Sequence, residues 1–497
     1  MLCAALAGLS FSSPLLCPTA HSVRCAAQLN WLGGATSLSP EAALARKREE
    51  SLIEWLQENG VYLSPQSTWG RAGHPLRVES DTVDDFEPSG RGLIARRPII
   101  QNEPLLEIPT KLVMTKEKAK HILGERVVPE EMGEYIALAL LLLHERSRGG
   151  DSFFAPYIGV LPDVEEVGPS YAWQEDELAL LQGSGALIAT RSFQEKLRKE
   201  YAAVQESTLS RHPDLFPPDS TTFEDFRWAM AMLFSRGVDL RDEDAGTGQL
   251  GLVPYADLLN HSPYSSSNFN LNSIPFSKDK EVVLYADRPY AVNDQVGGAH
   301  ARPLLLALCL TLVIRCPCAQ VLITYGQKSN AELLLLYGFV IDRNRFDEVE
   351  LRVSLAEDDP RYDEKVEFLR SVGLTPTQAF PLLIDRYSNE LVQFLRLCCA
   401  TLADGPLGSL RFNDPISVSN EVAVFEALRE GCNLALEQYP ETEEEDAKLM
   451  ENSQMFAVLS RRQRMAVKLR RNEKRILKRT IRVCDSEIAE LEAATRR

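Results

Sequence analysis

The run ITYGQKSNAELLLLYGF, which begins at residue 323, constrains this chain more than any other feature. Ser329 and Glu332 stand at the spacing of a capping box, in which both side chains accept hydrogen bonds from backbone N–H groups at a helix start. An apolar run follows, and Gly338 is the residue type that commonly ends a helix. The run therefore predicts one short helix that is flanked by Tyr325 and Tyr337.

Two further motifs precede this run. Ser89-Gly90-Arg91 lies where a loop enters a predicted strand, and glycine lets a backbone approach a ligand closely. Asn260-His261 follows an apolar segment, and its side chains suit hydrogen bonds to the polar ends of a ligand. His261 has no second ligand at a suitable spacing, so we expect no metal site. Each motif alone is also typical of an ordinary turn at the end of a strand.

Periodicity and turn residues predict helices and strands in separate parts of the chain. The predicted helices are 42–59, an apolar helix at 136–143 within a helical stretch that extends to about Ser235, most of the chain beyond Phe346, and a long helix from Met455 onward. The predicted strands are 92–95, 105–108, 252–259 and 281–285, with a polar loop at 263–276.

The predicted final helix is strongly basic. Residues 461–480 contain ten Lys or Arg residues and one acid, Glu473, while apolar residues recur at helical spacing. One interpretation is a docking face for an acidic partner or a nucleic acid. We favour the other, a packed amphipathic helix with a solvated basic face, because such faces are common on surface helices.

Composition excludes several classes of protein. The 497 residues carry a formal net charge of −17, which argues against a general nucleic-acid binder. The longest nearly apolar run, 304–314, is too short to cross a bilayer, so we expect no membrane association. The ten cysteines lack the spacing of a zinc site and favour buried thiols in a reducing compartment.

The first 40 residues have the composition of a targeting segment. They contain no acid and one basic residue, Arg24, among many Ala, Ser and Leu residues. This pattern predicts an organelle transit peptide, and the text VRCA around Arg24 resembles a chloroplast processing site. A secretory signal is the alternative, because residues 2–9 are fairly apolar. It is less favoured, since the start of the chain has no charged residue.

The segment Val296–Gln320 differs from everything around it. It holds three cysteines and no acid, and Gln295-Val296 is echoed by Gln320-Val321. Without it, Gln295 would join directly to Val321 and form one clean strand that ends at Tyr325. Val codons begin with GT and one Gln codon ends with AG, so the segment has the borders of a translated intron. The alternative is a genuine surface insertion, which loops tolerate at small entropic cost.

The three motifs, in this order, resemble the SET-domain methyltransferases, and most of all the plant plastid branch of Rubisco large-subunit lysine methyltransferases. The resemblance covers about residues 50–495 and includes the stretch from Trp228 to Arg236. It implies an α+β fold. A SET-domain β core with a helical insert would be followed by a mostly α-helical C-terminal substrate-binding domain. The implied boundaries are 1–40 for the transit peptide, 45–345 for the SET domain, about 118–235 for its helical insert, and 346–497 for the C-terminal domain.

The resemblance also implies roles for particular residues. Ser89, Gly90 and Arg91, Asn260 and His261, and Tyr337 would hold the cofactor S-adenosylmethionine. Arg236 and Asp257 would lie beside the substrate lysine. Tyr325 would also contact that lysine and would be the catalytic residue, with its hydroxyl where methyl group and amine meet.

The function implied is methyl transfer to a lysine of a plastid protein in the chloroplast stroma. Rubisco large subunit and fructose-bisphosphate aldolase are the candidate substrates. We expect a monomer without a nucleic-acid partner. Two alternatives stay open: a non-catalytic SET scaffold in a plastid complex, and methyl transfer to histidine, which one relative uses. Fold and motif do not separate them.

Overall fold

The computed structural model describes residues 39–84, 87–242, 246–262, 265–266, 269–274, 279–292, 322–323 and 326–495. Its strands are β1 (Leu76–Asp84), β2 (Glu87–Ala95), β3 (Pro104–Pro109), β4 (Met114–Thr115), β5 (Val238–Asp242), β6 (Thr247–Leu252), β7 (Asn260–His261), β8 (Phe269–Ser273), β9 (Lys280–Tyr285), β10 (Leu322–Ile323), β11 (Glu348–Ser354) and β12 (Thr377–Leu383). Tyr325 and the whole of Val296–Gln320 lie outside the described residues.

The β core consists of one larger sheet and two small ones. Six strands pair in the order β3-β9-β8-β5-β6-β4, mostly antiparallel, with one parallel pair between β5 and β8. The strands β1 and β2 form an antiparallel hairpin beside it. The short strands β7 and β10 pair in parallel, so that Leu322 lies opposite Asn260 and Ile323 opposite His261. This last pairing brings two of the sequence motifs together.

Helices occur before, between and after these strands. Those of the N-terminal and middle parts are Pro40–Glu58, Lys116–Leu123, Glu134–Ser147, Ala155–Ile158, Val164–Val167, Glu175–Leu178, Gly185–Ser207, Phe223–Arg236 and Asn330–Tyr337. The apolar helix Glu134–Ser147 is buried along residues 137–143 and packs on Phe223–Arg236. Burial of so continuous an apolar run makes this helix a large contributor to the larger hydrophobic core.

The C-terminal part is mostly helical. It comprises the antiparallel hairpin of β11 and β12 and the helices Tyr362–Ser371, Asn389–Cys399, Val418–Leu436, Glu443–Glu451, Ser453–Val458 and Arg461–Thr495. The last helix packs along Val418–Leu436 and lies against β11, and its side chains complete a second hydrophobic core. The predicted α+β fold with a helical C-terminal region is therefore confirmed.

Three predictions about single segments are wrong. The predicted strand 252–259 ends at Leu252, because Tyr255 has a φ of 72° and a short 3-10 helix follows. Phe269–Ser273, predicted as part of a polar loop, is an inner strand that pairs with both β5 and β9. The helix predicted from Met455 onward is two helices, which separate at Leu459 and Ser460.

The basic final helix differs from its prediction in one respect. Three of its cations are buried, and each is paired with an acid: Lys468 with Asp342 at 3.7 Å, Arg470 with Glu441 at 2.8 Å, and Lys474 with Asp446 at 2.7 Å. The predicted packed amphipathic helix is therefore confirmed, but its basic face is solvated only in part, as at the exposed Arg475. In the part of the chain that the structure describes, no helix combines the length and hydrophobicity of a membrane span.

Candidate functional site

The motifs predicted from the sequence converge on one cavity of about 370 Å³. It lies where β2, the end of Phe223–Arg236, the turn before β7 and the end of helix Asn330–Tyr337 meet. Its lining combines polar groups with an aromatic pair. The lining residues are Gly90, Arg91, Pro162, Glu166, Val167, Ser235, Arg236, Asp257, Leu258, Asn260, Tyr337, Phe339 and Arg461.

One wall is the backbone of β2 at Gly90 and Arg91. Gly90 has a φ of 71°, a conformation that favours glycine, and a Cβ there would meet nothing within 4 Å. The Thr82 hydroxyl donates to the Gly90 carbonyl at 2.6 Å. The Asn260 amide donates to the Arg91 carbonyl and to the Thr82 hydroxyl, each at 3.3 Å. The first two motifs therefore share one hydrogen-bonded wall, and Ser89 belongs to the same strand.

A second wall carries a buried carboxylate between an arginine and a tyrosine. Arg236 donates to the Asp257 backbone carbonyl at 2.8 Å and lies 3.6 Å from its carboxylate. The Tyr157 hydroxyl donates to the same carboxylate at 2.9 Å. Burial raises the pKa of Asp257 above its ordinary value, although Arg236 opposes the shift. The environment of this wall therefore disfavours isolated charge.

His261 lies next to the cavity and is a neutral imidazole at physiological pH. Burial lowers the pKa of His261 to about 4, and a hydrogen bond with the backbone of Ile323 opposes that shift. The same pairing continues in the backbone, where Ser262 donates to the Ile323 carbonyl at 2.9 Å. The parallel contact between β7 and β10 thus fixes His261 in position.

The third motif contributes Tyr337 to the lining of the cavity. The capping box of Ser329 and Glu332 is present, and Gly338 ends the helix with a φ of 74°. Both predictions are confirmed. Tyr337 and Phe339 pack edge to face, with ring centroids 6.1 Å apart. A Cβ at Gly338 would lie 2.2 Å from the carbonyl oxygen of Val167, so this position accepts only glycine.

The cavity therefore brings together Gly90, Arg91, Arg236, Asp257, Asn260 and Tyr337, with Ser89 and His261 adjacent. The contributors that sequence reasoning missed include Thr82, Tyr157, Phe339 and Arg461. Phe339 directly follows the tyrosine-glycine pair, so its position was a usable signal. Tyr157 and Arg461 approach from distant segments, and no local pattern marks them.

These groups fit S-adenosylmethionine, the cofactor that the sequence resemblance implies. The backbone carbonyls and the Asn260 amide suit the polar edges of a nucleoside and an amino acid, and the aromatic pair suits an adenine. The buried Nε of Arg236 has no hydrogen-bond partner among the described residues and is available as a donor. No group of three or more potential metal ligands occurs within the described ranges.

Comparisons with known families and curated proteins agree with this geometry. The SET domain family matches residues 90–297, and the Rubisco LSMT substrate-binding family matches residues 356–477. The chain is 31% identical to the actin-histidine N-methyltransferase of Homo sapiens, over 88% of this chain and 68% of that protein. It is also 31% identical to the chloroplastic ribulose-1,5 bisphosphate carboxylase/oxygenase large subunit N-methyltransferase of Pisum sativum, over 93% of this chain and 85% of that protein.

Solved structures show the same relationship. The LSMT SET domain bound to lysine and AdoHcy superposes with a TM-score of 0.69 at 28% identity, over 90% of this chain and 93% of that one. Rubisco LSMT bound to AdoMet gives a TM-score of 0.66 at 28% identity, again over 90% and 93%. The similarity thus extends through both regions of the molecule.

Proposed function

Because the chain belongs to the SET-domain methyltransferases that carry a Rubisco LSMT substrate-binding domain, we propose that it methylates a lysine side chain of a plastid protein. Membership makes it an S-adenosylmethionine-dependent protein methyltransferase; the lysine and the plastid are the proposed part. One observation carries the choice of lysine. The match to the pea enzyme spans 85% of that protein, whereas the match to the histidine enzyme spans 68%.

The cofactor would occupy the cavity. When bound, S-adenosylmethionine supplies a methyl group on a positively charged sulfur. We assign its binding to Asn260, to the backbone of Ser89, Gly90 and Arg91, to His261 and to Tyr337. The hydrogen bonds from Asn260 to Arg91 and Thr82 support this assignment, because they hold the amide and the β2 backbone in one arrangement.

The acceptor lysine has to lose its proton before it reacts, and an unperturbed lysine has a pKa of about 10.4. Burial and the charge of Arg236 favour this loss. The burial that raises the pKa of Asp257 would also disfavour an ammonium group nearby, and the Arg236 charge acts in the same direction, against the attraction of an ionised Asp257 carboxylate. We propose that Arg236 and Asp257 line the substrate position and that the Tyr325 hydroxyl orients the amine.

A histidine acceptor is the second candidate, because the actin-histidine N-methyltransferases are equally identical to this chain. The experiment that separates the two uses the full chain, labelled S-adenosylmethionine and a stromal extract. Mass spectrometry then identifies the labelled residue. A labelled lysine supports the proposal, a labelled histidine replaces it with the second candidate, and purified actin serves as a parallel substrate.

The plastid substrate is tested in the same assay with purified proteins. Rubisco large subunit and fructose-bisphosphate aldolase are the candidates, and the Tyr325→Phe variant is the matched control. Residues 1–40, fused to a fluorescent protein, should direct it to the chloroplast stroma. Secretion of that fusion, or label on actin alone, would contradict the plastid proposal.

A further inference from the structure

Arg461 is the first residue of the final helix, yet it lies at the cavity in the SET region. The next turns of that helix pack, through Met465 and Leu469, against residues near the cavity, and its later part packs in the C-terminal core. Residue 461 falls within the match to the Rubisco LSMT substrate-binding family. The substrate-binding domain thus contributes a side chain to the rim of the cofactor cavity.

The guanidinium of Arg461 joins two walls of that cavity. One nitrogen donates to the Glu166 carbonyl at 2.7 Å, and the other lies 3.4 Å from the Gly338 carbonyl. Glu166 precedes Val167 in the helical insert, and Gly338 separates the aromatic residues Tyr337 and Phe339. One side chain therefore bonds to both strips of backbone that border the aromatic side of the cavity.

The two strips are in direct contact at Gly338. A Cβ there would lie 2.2 Å from the Val167 carbonyl oxygen and 2.6 Å from the Gly168 carbonyl carbon. Because the backbone at Val167–Gly168 and the backbone at Gly338 are this close, their separation depends on the hydrogen bonds that join them. A bidentate arginine has the rigid, planar geometry that fixes such a spacing.

The neighbouring arginine anchors the same helix in a different way. Arg462 forms ion pairs with the carboxylates of Glu165 and Glu177, which also belong to the helical insert. It is not part of the cavity lining. The chain thus offers two adjacent arginines that both attach the final helix to the helical insert, and only Arg461 lines the cavity.

We propose that Arg461 is a positioning residue for the cofactor, through which the docked substrate-binding domain sets the width of the cavity beside Tyr337 and Phe339. The inference rests on the S-adenosylmethionine dependence of the family and not on the choice of lysine or histidine. Cofactor affinity in this enzyme then depends on a residue outside the SET domain.

The test compares Arg461→Ala, Arg461→Lys and Arg462→Ala in the full chain. Calorimetry measures the binding of S-adenosylhomocysteine, and thermal unfolding is recorded for each protein. We expect Arg461→Ala to weaken binding about tenfold, which corresponds to about 1.4 kcal/mol and to the loss of a charge-assisted hydrogen bond. Arg461→Lys should restore part of this loss, since an ammonium still reaches one carbonyl.

Arg462→Ala is the control. Its binding of S-adenosylhomocysteine should lie within about twofold of the original protein, and its unfolding temperature should shift about as much as that of Arg461→Ala. In steady state, Arg461→Ala should raise the KM for S-adenosylmethionine and leave kcat nearly unchanged. Equal weakening by both alanine variants would show that domain anchoring alone matters and would overturn the proposal, as would unchanged binding in Arg461→Ala. An original protein that binds no S-adenosylhomocysteine would overturn the cofactor assignment as well.

Discussion

Two arginine–carboxylate pairs in this molecule, each with a nearly buried carboxylate, are built differently. In the helical domain, Arg396 donates to both carboxylate oxygens of Glu421, at 2.7 and 2.8 Å. In the cavity, the Arg236 guanidinium donates its short hydrogen bond to the Asp257 backbone carbonyl and lies 3.6 Å from the Asp257 carboxylate. In the first pair, both carboxylate oxygens therefore accept a hydrogen bond from the arginine. The second leaves the Arg236 Nε without a partner among the described residues, and its carboxylate relies on Tyr157.

The difference separates a structural pair from one in a binding site. A fork-shaped pair in the core fixes two helices, here Asn389–Cys399 and Val418–Leu436. An incompletely satisfied pair that lines a cavity keeps hydrogen-bonding capacity for a ligand. Both places pair an arginine with a carboxylate that is little exposed, and the geometry of the hydrogen bonds separates them.

Arg396→Met tests the structural pair and should strongly destabilise the protein. It leaves the Glu421 carboxylate buried without its cation, which costs about 3–5 kcal/mol of unfolding free energy. Urea denaturation measures that loss. Arg236→Met is the matched control and should cost less than half as much, because Asp257 keeps the Tyr157 hydroxyl and its raised pKa favours the neutral acid. Equal destabilisation by both variants would contradict the distinction.

Tyr325→Phe should reduce turnover without changing the stability of the protein. The change removes a single hydroxyl and little volume. If that hydroxyl orients the amine, turnover falls by about 10²-fold, as for other lost donors at a transition state. Unfolding free energy and S-adenosylhomocysteine affinity should be unchanged. Turnover close to normal would remove Tyr325 from the mechanism.

Local signals in the sequence predicted local features well. The capping box of Ser329 and Glu332 and the end of the helix at Gly338 depend on a few neighbouring residues, and all are present. Tertiary structure decided the rest. The strand predicted at 252–259 is interrupted by Tyr255, whose positive φ has no sequence signal in a residue of this size. Phe269–Ser273 is a strand because β5 and β9 supply its partners.

The sequence predicted the separate motifs of the site but not the contacts between them. Asn260 meets β2, and Asp257 meets Arg236, through the fold of distant segments. The Tyr157 contact spans 100 positions and follows no pattern that a single sequence displays. The interval Val296–Gln320 stays a prediction. The SET family match ends at residue 297, although Leu322 and Ile323 still pair with β7. An interruption inside the domain agrees with both observations.

Asn260→Ala tests the binding site directly and should weaken cofactor binding. The alanine leaves polar groups of the cofactor unpaired, at about 1–3 kcal/mol for a buried group, and S-adenosylhomocysteine affinity should fall accordingly. Calorimetry measures it. Asn272→Ala, at a half-buried position of β8 where the amide donates to the Tyr285 hydroxyl, is the control and should bind normally. Unchanged affinity in Asn260→Ala would count against its assigned role.

A third buried acid extends the comparison, because its hydrogen bonds come from hydroxyl groups. Glu473 accepts hydrogen bonds from Ser184 at 2.7 Å and from Tyr439 at 3.1 Å, beside the paired Lys474 and Asp446. Burial raises the pKa of Glu473 to about 8. Burial also raises the pKa of Asp347, to about 6. Both acids therefore bind a proton more tightly in the folded state than in the unfolded chain.

The sign of the resulting pH dependence follows from that preference. A folded state that holds the extra proton loses stability as pH rises from the unfolded pKa, about 4.5 for a glutamate, to the folded value of about 8. The contribution from Asp347 is complete near pH 6. We therefore expect the unfolding free energy to fall by about 1 kcal/mol between pH 7 and pH 8, mainly through Glu473. Urea denaturation at a series of pH values measures this slope.

Glu473→Gln tests the assignment of that slope. The amide keeps a neutral side chain of the same shape against Ser184 and Tyr439, so the variant should be nearly flat from pH 7 to pH 8 and more stable than the original protein above pH 8. Glu421→Gln is the contrasting variant, because it removes a charge that Arg396 requires and should destabilise the protein at both pH values. If Glu473→Gln keeps the original slope, the titrating group lies elsewhere, and the hydroxyl donors together with the Lys474 charge are then enough to hold Glu473 ionised in the core.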